Sequence, residues 1–134
     1  MAKTPQLLTL DQIRSAQTVI TEDVHVPEWG GTVRVKALTA KERDAFEAGL
    51  VVGKGKNRRV SIDNVRAQLV VASVVDADGK QMFKPADAEW MGDQSAAAVA
   101  RVYDVAGRLS GVSDDDVEEL AGNSSDQSDG SSSG

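Results

Sequence analysis

The chain contains no cysteine, which excludes disulfides and thiolate metal sites. It has one histidine, and one imidazole cannot make a zinc site. Aromatic residues make up only 4%, so the core must be built mainly from Val, Ala and Leu and will be thin. No window approaches the roughly 18–20 consecutive apolar residues of a membrane-spanning helix. The opening "MAKTPQLLTL" has neither a long apolar stretch nor a small-residue cleavage site, so a secretory signal is not expected and a cytoplasmic protein is. With 134 residues and 40% apolar content, the chain suits one modest domain.

The net charge of −6 is unevenly placed. Residues 112–134 hold seven acids and no Lys or Arg, whereas residues 1–111 hold 15 basic and 14 acidic residues. The acidity belongs to the tail. A nearly neutral body gives no electrostatic footprint for nucleic acid.

Local patterns predict an α+β protein: a β-hairpin packed on a mostly helical domain, with an acidic, largely disordered C-terminal tail. Residues 1–18 form an N-terminal segment in which Thr9 and Gln12 have capping-box spacing and open a short helix to about Gln17. The core domain spans 19–111. Its hairpin, 19–38, joins "TVITEDVHV" and "TVRVKAL" through "PEWGG". Val24, Val26, Val33, Val35 and Ala37 fall on one face, with His25, Arg34 and Lys36 on the other. An isolated hairpin is marginal, so its apolar face must lie on helices.

Helices are expected over about 40–52, 62–75, 85–91 and 95–109. Thr39 and Glu42 supply the capping box of the first, whose stripe is Ala45, Phe46, Gly49 and Leu50. The second, "VRAQLVVASVV", is apolar nearly all round and reads as the buried central helix, although its β-branched valines leave a strand open. Pro85 suits the first turn of a short helix carrying Trp90 and Met91. Asp93 or Ser95 caps the last, which presents Val99, Val102, Tyr103, Ala106 and Leu109 and stops at Gly111. Within the tail, 112–134, Ser113 to Asp116 could cap another helical turn or two. From Gly122 onward, "GNSSDQSDGSSSG" can bury nothing.

Five places in the chain have residue types that could carry chemistry. His25 stands alone on a polar strand face. "GLVVGKGK" fails the phosphate-loop spacing, because Leu50 occupies the first glycine position and Asn57 follows Lys56. The cluster Lys54, Lys56, Arg58 and Arg59 reads as a solvated loop or as a contact for an acidic partner. In "DADG" the glycine is fourth rather than sixth, which makes Asp76–Gly79 a turn and not a calcium loop. Glu28 beside Trp29 has no second acid at defined geometry. No catalytic constellation, cofactor site or metal site emerges, and the chain does not read as an enzyme. Trp29 covers the core or touches a partner, and Trp29, Arg34 and Lys36 are the candidate partner-binding residues.

Three stretches taken in order, "VPEWGGTVRVKALTAKERDAFE", "VRAQLVVASVVDADGKQMF" and "DQSAAAVARVYDVAGRLSGVS", resemble the tail assembly chaperones of long-tailed, non-contractile bacteriophages. The likeness runs from about Val24 to Ser113. It implies a non-enzymatic helper of virion morphogenesis that binds the tape measure protein, keeps it soluble and helps recruit tail tube protein. Self-association, action in the host cytoplasm and absence from the mature virion are implied too, with no membrane, nucleic acid or cofactor. Many members of that family are made in two lengths by a programmed frameshift. Ala121-Gly122-Asn123 can be encoded GCG GGA AAC, which contains the slippery heptamer GGGAAAC. The second reading is a structural head–tail connector or tail-completion protein, which would remain in the particle.

Overall fold

A computed structural model describes residues 5–16, 19–120 and 122. Among them are six α-helices and a three-stranded antiparallel sheet, which makes the fold α+β. The hairpin pairs β1 (Thr21–Val26) with β2 (Gly31–Lys36) in a register that sets Asp23 opposite Arg34 and Val24 opposite Val33. Its tip is one 3₁₀ turn, Pro27–Trp29, followed by Gly30 at φ +73°. Val24, Val26, Val35 and Ala37 are buried as the alternation requires, and His25 is exposed.

The expected helices exist, with ends that differ for local reasons. α1 (Leu10–Ser15) carries the complete Thr9–Gln12 capping box and ends before Gln17, which lies outside the described residues. α2 (Ala40–Ala48) has the complete Thr39–Glu42 box but stops at Gly49 rather than 52. Val51 and Val52 instead form β3, which pairs with β4 (Arg59–Val60) in a small separate ribbon.

The run expected to be helical over 62–75 changes structure partway. α3 (Val65–Ser73) begins after Asn64, which sits in the left-handed region at φ 62°, and Val74–Val75 become β5. There they pair with Val35 and Arg34 of β2, giving strand order β1-β2-β5. β-Branched valines tolerate either conformation, and the open edge of β2 decides for the strand. Asp76 then closes the predicted turn, its Oδ1 accepting from the amides of Asp78 (2.8 Å) and Lys80 (3.0 Å).

The Pro85 region is a 3₁₀ turn, Pro85–Asp87, leading into α4 (Ala88–Gly92). α5 (Ala96–Ser110) is capped by Ser95, whose Oγ accepts from the Ala98 amide at 3.3 Å. It buries Val99, Val102, Tyr103 and Ala106 against α3 and the hairpin. Gly111, at φ +68°, ends it, and the Val112 amide turns back to Gly107 O at 2.8 Å. A Cβ on Gly107 would lie 2.5 Å from Val112 O, so this reversal requires glycine there.

The further helical turns expected after Ser113 follow this reversal, with Ser113 Oγ accepting from the Asp116 amide at 3.1 Å. Residues 114–120 form α6, and Val112 and Val117 join the core. Asp115, Glu118 and Glu119 are exposed on this helix, Asp114 turns toward Tyr103, and Val117 is its buried anchor. The stretch beyond it, including Asn123 and the proposed frameshift codons apart from Gly122, lies outside the described residues.

The core centres on α3, where Leu69, Val70 and Val71 are essentially inaccessible, with Met91, Val102 and Ala98 around them. Ser73 is equally buried, and its hydroxyl finds no hydrogen-bond partner among the described residues. An unmet buried hydroxyl costs about 1–3 kcal/mol. Ser73→Ala should therefore stabilise the fold by about 1 kcal/mol and raise the melting temperature by a few degrees. Calorimetry checks this, and a lower melting temperature would show that the hydroxyl is satisfied.

Candidate functional site: exposed apolar surfaces around the 81–91 segment

Of the three residues predicted to touch a partner, two are held within the fold. Trp29 is half-buried and packs on the core cluster. Lys36 is not on an exposed face; its side chain is only 15% accessible and pairs with Glu42. It links the end of β2 to the first turn of α2, where Glu42 also completes the capping box by accepting from the Thr39 amide at 2.9 Å. Burial pushes the Glu42 carboxyl up, but Lys36 and the Thr39 amide outweigh it and hold the pKa below its ordinary value. Arg34 is the exposed one. It pairs bidentately with Asp23 across the hairpin, at 2.8 and 3.2 Å, and its guanidinium lowers the Asp23 pKa.

Two longer-range pairs fasten α5 over the sheet. Arg101 reaches Glu28 at 3.0 Å and Arg108 reaches Glu22 at 2.8 Å. The charges that a strand-face reading offers to a partner are thus largely committed within the chain. The loop residues Lys54, Lys56, Arg58 and Arg59 are exposed on the β3–β4 ribbon.

The surface with unspent binding capacity lies elsewhere, on the segment linking β5 to α4. Met82 is 51% exposed and Trp90 is 54% exposed. Phe83 stacks obliquely on Trp90, with centroids 6.3 Å apart and rings inclined by 32°. An aromatic pair with a thioether beside it is the kind of surface that gives binding hot spots. In α4 Ala88 and Met91, three residues apart, are both buried and define the inward face, which leaves Trp90 on the outer side. The sequence marked both tryptophans, and the one beside a turn drew attention because its exposure could not be read locally.

The same segment forms one wall of an apolar groove of about 210 Å³. Ala45, Phe46 and Gly49 of the α2 region face Val71 and Ala72 of α3, and Ala88 closes the end. Ala45 and Gly49 were expected on the buried stripe of α2; both are exposed, and only Phe46 and Leu50 of that stripe are inside.

A second, wider cleft of about 510 Å³ lies between α3, α5 and α6. Here Tyr103 Oη donates to Asp114 Oδ1 at 2.9 Å, while the Arg66 guanidinium sits 5.5 Å above the Tyr103 ring. Burial, then the Asp114 carboxylate, raise the Tyr103 pKa to about 12. A phenol held protonated so firmly is neither base nor nucleophile at neutral pH; it is a fastening for α6. Among the described residues, no group of three His, Asp or Glu side chains is arranged to hold a metal. No described helix is long and apolar enough to cross a membrane.

The two tryptophans should separate under substitution. Trp29→Ala should cost about 1–2 kcal/mol of stability, whereas Trp90→Ala should change it by less than about 0.5 kcal/mol, as chemical denaturation would measure. Tyr103 is the sole tyrosine, so tyrosinate absorbance reports it directly. Its folded pKa is raised above the unfolded value near 10, so its contribution to stability is complete below about pH 10 and lost as pH rises through about 12. Asp114→Ala should move the absorbance midpoint downward; an unmoved midpoint would show that the Asp114 contact contributes nothing.

Comparison with known proteins adds no relative to this picture: no family model, no curated protein and no solved structure matches the chain.

Proposed function

We propose that this chain is a phage tail assembly chaperone: a non-enzymatic protein that binds the tape measure protein, keeps it soluble and helps recruit tail tube subunits in the host cytoplasm. The order of its sequence motifs supports the reading, from the Trp-Gly hairpin through "LTAKERDAFE" and the Asp-x-Asp-Gly turn to the final helix before Ser-Gly. The observation that carries it is the exposed aromatic surface of Met82, Phe83 and Trp90. A long helical client with apolar stripes is insoluble alone, and a helper must offer it apolar contact while staying soluble itself. The acidic outer face of α6 and the acidic residues of 112–134 serve that second need.

On this reading the partner contact lies at Trp90 rather than at Trp29, Arg34 and Lys36. Co-expression with the tape measure protein encoded in the same genome tests it. The full chain should keep a tape measure fragment in the soluble fraction, and Trp90→Ala should lose that effect while remaining folded. Aggregation of the fragment with the unmodified chain present would overturn the proposal. Stoichiometric presence in purified particles would favour a head–tail connector or tail-completion protein instead.

A further inference from the structure

The Lys and Arg side chains of the hairpin and of α5 are paired within the chain: Arg34, Lys36, Arg101 and Arg108 each hold a carboxylate. The β3–β4 ribbon is different. Lys54, Lys56, Arg58 and Arg59 crowd four cations into six residues, all exposed, and none pairs with an acid among the described residues. Nor do they hang on a loose loop. A 3₁₀ turn, Gly55–Asn57, closes the tip, with the Asn57 amide donating to Lys54 O at 3.0 Å and the Arg58 amide to Gly55 O at 3.3 Å. Gly53, at φ +84°, backs onto Asn57 O, which would lie 2.3 Å from a Cβ. Like charges held together on a formed turn repel one another, and an anionic surface relieves that repulsion.

Such a surface stands on α6. Asp115, Glu118 and Glu119 are spaced three and four apart, so they share one face, with Val117 buried on the other side. All three acids are exposed, and none meets a cation among the described residues. Like charges at that spacing destabilise a helix, so α6 gains from a cationic partner as the ribbon gains from an anionic one. The two elements border one cleft. Ile62 and Glu118 both line it, and Arg59 lies three residues from Ile62, within about 11 Å along the chain.

We infer that the β3–β4 ribbon is a docking surface for α6 of a second copy, and that two copies pair reciprocally through it. A cationic and an anionic patch side by side on one molecule are self-complementary. A two-fold rotation about an axis between them sets each ribbon on the other copy's α6. The competing anionic partner is nucleic acid, and it fits worse. A polyanion laid on the ribbon brings further negative charge beside α6, in a chain whose net charge is already −6. A second copy satisfies both patches at once. Because the charges stay near the surface, the contact is reversible and weakens as salt screens it. The inference stands on the ribbon and α6, independently of the tail-assembly reading and of Trp90.

Light scattering of the full chain after gel filtration, at low and high salt, tests it. The unmodified protein should have the mass of a dimer in low salt and of a monomer near 1 M salt, where the screening length falls to about 3 Å. Two charge-reversed chains give the second readout. One carries Lys54→Glu, Lys56→Glu and Arg58→Glu; the other carries Asp115→Lys, Glu118→Lys and Glu119→Lys. Each alone should dissociate at least about tenfold more readily in low salt. Mixed in equal amounts, they should pair with each other, because each reversed patch then meets its opposite. All six side chains are exposed, so both variants should keep the thermal transition of a folded protein. A monomeric unmodified protein in low salt overturns the inference, with or without retardation of a DNA duplex. So does a dimer indifferent to salt, or one that survives either reversal. If a reversed chain fails to fold, the salt dependence of the unmodified protein still decides. Loss of the tape measure effect in Trp90→Ala with the salt-sensitive dimer intact would leave this inference standing, so the two proposals fail separately.

Discussion

Burial of the run from Val65 to Val75 is the constraint on which the remaining structure depends. As α3 it supplies the inaccessible centre of the helical layer, and as β5 it becomes the third strand of the sheet. One covalent segment therefore belongs to both layers, and neither can shift without the other. A hairpin of two six-residue strands is not stable alone. Here it gains a third strand on one edge and the whole length of α5 across its apolar face. The Glu28–Arg101 and Glu22–Arg108 pairs sit at the margins of that contact. Being largely exposed, they set orientation more than they add stability.

Much of this architecture was legible because it is local. The two capping boxes, the Asp76 turn, the alternation through Val24 to Ala37, the stripe of α5 and the Gly111 stop each follow from residues within a few positions of one another. The α+β class follows from them. What sequence alone missed depends on distant partners. Nothing near Val74 says that the edge of β2 is vacant, so the helix there was drawn too long. Nothing near Lys36 says that Glu42 will fold back beside it, so a tethering lysine looked like a free one.

The candidate site was less legible than the fold for the same reason. Trp29 and Trp90 are indistinguishable as letters, and each flanks a turn or a helix start. Burial of Ala88 and Met91 together leaves Trp90 on the outer side of α4, and that burial is a property of the assembled core. The acidic stretch after Ser113 was legible as a helix start but not in its packing. The cap is local, whereas the burial of Val112 and Val117, aided by the close approach at Gly107, brings the helix down onto α5 and the cleft beside Tyr103 and depends on the assembled core.

The strand order has one consequence for how copies of this protein can meet. Among the described residues β1 is a border strand, with β2 on its inner side and no strand on its outer one. Such a border invites sheet-to-sheet growth unless something discourages it. Here Pro27 closes one end, and Glu22 and Asp23 place two acids along a strand only six residues long. The opposite border is shorter still, two residues with a single bridge from Val75 to Gln81 beyond. Short, acid-bearing and proline-ended margins of this kind disfavour the addition of further strands to the sheet.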